Sequence, residues 1–358
     1  MKLNNMISLA LCAVIPLTAS CGGGTGPGGS SLVEVARSDR QWTGIAVTRD
    51  GRIFVNYPRW SDDVPVSVGE VMPDGDVQPY PTGEMNRWDD TLSPKNHFVG
   101  VQSVYVDREN ILWILDTGNP QFTGVIPGGP KLIAVDPAID TILRVYPFGD
   151  DVVSTNSYLN DVRVDTRLKY AYISDSDAGG IVVLNLKTGA CRRLLADHPS
   201  ARSEDIVLTI GGKEWRRPDG TSPQVHTDGI ALTPDGAYVY YQALTGRTLY
   251  RIESARLRDW NLSPARLGEH VEKVAESGAA DGIMFGPGGN LYLSAIEDDA
   301  VNILTPDGAV ETVVSDPHLL WPDSFSITPG GDIYVTTSQI HLGSARKEPY
   351  MIYRLKAR

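Results

Sequence analysis

One phrase recurs six times along this chain and constrains the fold more than any other feature. A small polar pair precedes an alternating apolar run, a tight turn and a second alternating run. It occurs at Thr43-Gly44-Ile45, Gln102-Ser103-Val104, Asn160-Asp161-Val162, Asp228-Gly229-Ile230, Asp281-Gly282-Ile283 and Asp323-Ser324-Phe325. Successive copies lie 42 to 68 residues apart. The turns are Arg49-Asp50-Gly51, Pro234-Asp235-Gly236 and Pro329-Gly330-Gly331, which are hairpin signals between β-forming runs. Further apolar runs follow, as at Lys131-Leu-Ile-Ala-Val135, Gly180-Ile-Val-Val-Leu184 and Thr248-Leu-Tyr-Arg-Ile252. Six units of about four strands each predict an all-β, six-bladed β-propeller. The spacings exceed the ~40–45 residues of a typical blade, so loops carry insertions. One covers residues 253 to 275, where Ser263-Pro264 and helix-forming residues predict one or two short helices. A pair of β-sandwiches does not account for an even sixfold repeat. A helical solenoid needs a period near 3.6, and the apolar period here is two.

The repeat starts after an address. Lys2 and the apolar run Ile7 to Leu17, then Thr18, Ala19, Ser20 and Cys21, have the layout of a secretory signal. The run is too short to span a bilayer as a mature helix. Cys21 followed by Gly22 is similar to a bacterial lipoprotein cleavage site, although Thr18 stands where Leu is usual. The expected organisation is a signal at residues 1–20, a Gly/Ser-rich tether at 21–31 and the propeller at 32–358. Lipidated Cys21 would be the membrane attachment, in the bacterial envelope and by Gly22 in the outer membrane. Of three cysteines, Cys12 leaves with the signal, and Cys191 is read as a small buried hydrophobe. The formal net charge of −12 argues against a nucleic-acid partner, because phosphate binding requires clustered cations.

Several stretches resemble the yellow and major royal jelly protein family. They are Ile53-Phe-Val-Asn-Tyr-Pro-Arg-Trp60, Val64-Pro-Val-Ser-Val-Gly-Glu70, Leu112-Trp-Ile-Leu-Asp-Thr-Gly118, Asn156-Ser-Tyr-Leu-Asn-Asp161, Tyr170-Ala-Tyr-Ile-Ser-Asp175 and Asp228-Gly-Ile-Ala-Leu232. The resemblance implies a secreted six-bladed propeller. It implies no single reaction, because the family includes candidate dopachrome-converting enzymes, amine-binding salivary proteins and a storage protein. Family members often carry disulfides; the mature chain here has no internal pair to form one, which points to a bacterial branch.

Inner strands of a propeller line its central channel, so the residues just ahead of them crowd one mouth. The repeat places Thr43, Gln102, Asn160, Asp228, Asp281 and Asp323 there. Two like charges ~4 Å apart cost about 4 kcal/mol at an effective dielectric near 20. Converging carboxylates therefore call for a cation, a shared proton or an ammonium ligand. Asp and Asn oxygens suit Ca²⁺ or Mg²⁺. The structural alternative is that Asp-Gly only caps a turn through side-chain to backbone bonds. Tyr158 and Trp321 precede ring positions and are expected to wall the mouth, where aromatic faces favour a cation. His226 lies two residues before Asp228 and is expected to reach the mouth.

The ring also resembles that of gluconolactonase-type propellers, in Asn160-Asp161, Asp228-Gly229-Ile230 and Asp281-Gly282-Ile283. That resemblance implies a divalent metal on Asn160, Asp228 and Asp281, with Asp281 as base. The family's first-blade Glu is replaced by Thr43. Asp116-Thr117-Gly118 is read as a strand-end turn rather than a protease motif. Two readings stay open. In one, the ring, Tyr158 and Trp321 bind a small polar or cationic ligand. In the other, Asp281, Asp228 and His226 carry a hydrolase or tautomerase reaction. A plain scaffold is the third, least specific reading.

Overall fold

The computed structural model describes residues 32–356. The expected signal, tether and Cys21 lie outside the described residues. Six four-stranded antiparallel sheets form the blades, and a two-stranded hairpin, Thr209–Ile210 with Lys213–Glu214, stands apart. The innermost strands are Ile45–Val47, Val101–Val106, Leu159–Asp165, Thr227–Leu232, Ala280–Phe285 and Pro322–Ile327. Each packs against the inner strand of the next blade, and the sixth against the first. Every repeat position identified in the sequence lies in or directly before one of these strands.

Alternating side chains explain where the core sits. Each sheet has two apolar faces, and each seam between adjacent sheets holds its own cluster of buried residues. Phe54 and Ile114 meet between blades 1 and 2, Leu115 and Val162 between 2 and 3, Ile181 and Tyr241 between 3 and 4. Leu249 and Leu293 meet between blades 4 and 5, Tyr292 and Val335 between 5 and 6. Trp42 and Ile352 close the ring between 6 and 1. Gly51 and Gly236 sit at φ 88° and 73°, the left-handed conformation that the predicted turns require. The 253–275 insertion forms two short helices, Ser254–Arg258 and Pro264–Gly268, the second capped by Ser263 as its Ser-Pro start implies.

The sixth blade is finished from the other end of the domain. Its outer strand is Val33–Ser38, paired antiparallel with Tyr350–Lys356. The repeat did not reveal this, although the alternation Val33-Glu-Val-Ala36 ahead of the first copy is its signal.

Asp116, at the end of the second strand of blade 2, is fully buried. It accepts hydrogen bonds from the backbone N–H of Val99, Gly100 and Gly118 at 2.8–2.9 Å. Buried Lys131 donates to it at 2.7 Å and to the carbonyls of Pro94, His97 and Gly129. The Asp-Thr-Gly segment is thus a strand-end anchor. Blade 3 repeats the device with Asp175 and Arg193 at 2.6 Å, and Asp175 also holds the backbone of Tyr158.

Candidate functional site

A register shift marks the start of five of the six inner strands, between Val101 and Ser103, Leu159 and Val162, Thr227 and Ile230, Ala280 and Ile283, and Pro322 and Phe325. These bulges coincide with the repeated polar pairs. A bulge re-aims side chains that a regular strand would alternate. The freed backbone N–H groups are met from the second strand of the same blade. Ser174 accepts from Asp161, Ser294 from Asp281 and Gly282, and Thr336 from Ser324. Glycine at the second position has a steric cause. A Cβ on Gly229 would lie 2.6 Å from the Asp281 carbonyl oxygen, and one on Gly282 would lie 2.2 Å from that of Asp323. The glycine therefore serves the seam, and the aspartate before it is free to face the channel.

All six predicted ring residues are brought to one mouth and are at most 9% exposed. They divide into two arcs. The neutral arc is a hydrogen-bond chain. Asn56 Nδ2 donates to Thr43 Oγ1 at 2.9 Å, Thr43 to the Gln102 carbonyl, and Tyr158 to Gln102 Oε1 at 2.8 Å. Trp60 Nε1 donates to the Tyr158 hydroxyl at 2.6 Å. The acidic arc is Asn160, Asp228, Asp281 and Asp323. Asn160 Nδ2 donates to Asp228 Oδ1, and Trp321 Nε1 donates to Asp281 Oδ2 at 2.6 Å.

Burial dominates the titration of this arc, because it penalises the charged form. Burial, then the charges of Asp281, Asp161 and Asp323, push Asp228 well above the usual carboxylate range. Burial and the charge of Asp281 raise Asp323, against the pull of the Ser338 and Ser324 hydroxyls. Asp281 is pushed up to about 7 by burial, with the indole N–H of Trp321 pulling it back. Asp228 and Asp281 act on one another as a buried pair, and burial holds both above the usual carboxylate range.

Two residues of the arc were not singled out from the sequence. Asp161 accepts from Ser103 at 2.7 Å and from Arg163 Nη2 at 3.1 Å. Arg163, 5% exposed, crosses the channel to the carbonyl of Ile283 in blade 5. It therefore floors the acidic mouth. A cation two residues beyond the Asn-Asp pair was the available signal.

Aromatic rings cover the mouth from both sides. Phe122 stacks on Tyr158 at 4.5 Å and lies 6.1 Å from Trp60. Trp321 is fully buried, T-shaped against Trp215 at 4.9 Å and stacked on His341 at 5.8 Å. Phe122 and Trp321 have φ of 55° and 56°. Bulky residues in that region are outliers that surrounding structure must hold in place, and both point to this mouth. Tyr158 and Trp321 are thus hydrogen-bonded members of the site more than open walls.

His226 does not join the ring. Its Nδ1 accepts from the Ser203 N–H at 3.0 Å, and burial and Arg202 hold its pKa below the ordinary range. The expected metal set does not fit either. Asn160 turns amide hydrogens toward Asp228, the Trp321 indole occupies one oxygen of Asp281, and Thr43 accepts from Asn56. Among the described residues no three carboxylate, imidazole or thiolate groups are placed to hold a metal ion.

Residues 99–356 match the sequence profile of the family described as major royal jelly protein. The chain belongs to that family. Relatives of this major royal jelly protein family chain include protein yellow of Drosophila melanogaster, 27% identical over 58% of the chain and 40% of that protein. Major royal jelly protein 7 of Apis mellifera is 23% identical over 57% of the chain and 44% of that protein. The chain thus matches under half the length of these relatives. Among solved structures, a gluconolactonase from Xanthomonas campestris covers 92% of the chain and 90% of its own, at TM-score 0.54 and 13% identity. A PQQ-bound aldose sugar dehydrogenase from Streptomyces coelicolor covers 93% and 99%, at TM-score 0.55 and 10% identity. At such identities the likeness is one of fold, and it agrees with six blades.

Proposed function

We propose that this propeller binds a small organic cation with a planar body at its acidic mouth. One observation carries the reading. Asp228, Asp281 and Asp323 are buried together with raised pKa values, while the only buried cation among them, Arg163, is engaged with Asp161. An incoming ammonium would release the cost that burial places on their charged forms, and the Trp60–Phe122–Tyr158 stack supplies ring faces for its body. Phe122, 56% exposed, is the outer layer through which a ligand would pass. Titration calorimetry with phenethylamine tests this. Affinity should rise as pH goes up through about 7, where Asp281 ionises, and Asp281→Asn should weaken binding by about 10–100-fold, the value of a charge-assisted bond. No binding at any pH would sink the proposal.

A second reading is favoured by Asp281 alone. A carboxyl group held near 7 suits proton transfer at neutral pH, as a tautomerase or lactone hydrolase requires; the gluconolactonase neighbour has the same fold. In that case Asp281→Asn keeps affinity for the substrate and loses turnover. A metal-assisted version has no donor set here.

We also propose export with lipidation of Cys21, on the signal-like residues 1–20. Mass spectrometry of the envelope fraction should find an acylated peptide beginning at Cys21; an unmodified Cys21 would overturn it.

A further inference from the structure

We propose that the opposite mouth of the channel is a second binding site, for a small hydroxylated anion with an apolar body, such as a hydroxylated aromatic acid. The turns that join first and second strands enclose there a cavity of about 440 Å³, within the range of small-molecule sites. Its rim carries Arg49 from blade 1, Arg108 from blade 2 and Arg167 from blade 3, all exposed. Arg167 acts on the Asp235 carboxylate through its charge, but its hydrogen bond, like that of Arg49, goes to a backbone carbonyl. Arg49 donates to the Arg108 carbonyl and Arg167 to the Asp235 carbonyl. On a chain of net charge −12, these three arginines outnumber Asp235, the one exposed carboxylate on the lining, and place positive charge outermost at a concave surface.

The acids that line the same cavity are engaged elsewhere. Asp107 accepts from the Trp113 indole and two backbone N–H groups, and Asp235 from Thr233 and Ala237. Asp165 uses one oxygen on the N–H groups of Arg167 and Leu168. Its second oxygen has no partner, and neither does Nε of Arg163, which forms the floor. Both residues are 5% exposed. Buried polar atoms are ordinarily satisfied, and this donor and acceptor lie just beneath the lining rather than open to it, so a ligand that offers both would engage them as the side chains above give way. Tyr105, Phe285 and Phe325 supply apolar wall. Arg163 is shared: its Nη2 donates to Asp161 on the acidic side, and the same residue lines this cavity.

Titration calorimetry of the purified protein with 4-hydroxybenzoate, at low salt, tests the site. Binding should be measurable, fall with added salt and weaken about tenfold or more in Arg49→Ala/Arg167→Ala. These arginines are exposed, so the double variant should melt as the unaltered protein does. Asp281→Asn should leave this affinity unchanged. The proposal is overturned by no heat up to about 10 mM ligand, by unchanged affinity in the arginine variant, or by loss in Asp281→Asn, which would place the anion at the other mouth. Inorganic phosphate binding as tightly as 4-hydroxybenzoate would overturn the apolar-body assignment.

Discussion

Asp281→Asn should melt several degrees above the unaltered protein at about pH 8 and at the same temperature near pH 4. The sign follows from proton binding. In the folded chain Asp281 holds its proton up to about 7, against the model-peptide value of 3.8. Between those limits the folded state binds a proton that the unfolded state has released, so stability falls as pH rises through that window and is level above it. The amide removes this penalty while its oxygen still accepts from Trp321. A difference of about three pH units corresponds to about 4 kcal/mol at full value; with Asp228 relaxing, a gain of about 2–4 kcal/mol is expected. In a ring of this size each kcal/mol moves the midpoint by ~2 °C. A variant that melts lower at high pH than the parent would mean the carboxylate is already compensated. Such a gain in stability with a loss of ligand binding is the usual mark of a site kept for function.

Lys131→Met should cost about 3–5 kcal/mol, the ordinary result of removing one partner of a buried ion pair. The methionine can fill the volume, yet Asp116 loses the cation bonded to it and keeps only the more distant charge of Arg59, and the carbonyls of Pro94, His97 and Gly129 lose their donor. Urea unfolding should show a lower midpoint with the slope unchanged. Adding Asp116→Asn should recover part of the loss, because the two changes share one interaction. A cost below about 1 kcal/mol would show that the pair is screened by water. The effect should also reach the mouth. Asp116 fixes Gly118, and the next residue, Asn119, donates to the Ser157 carbonyl just before Tyr158.

The parts of this molecule that were legible in the sequence are those with local causes. Alternation and Gly-containing turns depend on neighbours a few residues away, so the blades and inner strands could be read directly. The repeat then carried Asp228, Asp281 and Asp323 to one place without any knowledge of contacts. What was not legible depends on partners far along the chain. Nothing near Arg163 says that it reaches Ile283, and nothing near Trp321 says that its indole meets Asp281. The bulges turn both Asn160 and Asp161 toward the channel, where strict alternation would have chosen one. His226 was misplaced for the same reason, since proximity in sequence to Asp228 did not survive the register shift at Thr227. The metal set expected from residue types did not anticipate the hydrogen-bond directions at Asn160 and Asp281, which residue types do not encode.

The strand Val33–Ser38 has a mechanical consequence. It is made first and waits for a partner, Tyr350–Lys356, that the ribosome delivers roughly 300 residues later. Until then the sixth blade has an open edge and the ring has no latch. The same strand lies directly after whatever precedes residue 32. A pull on that side, as from an anchored tether, is borne first by this one ladder of hydrogen bonds. Its failure would open the circle at a single seam while the other five remain packed.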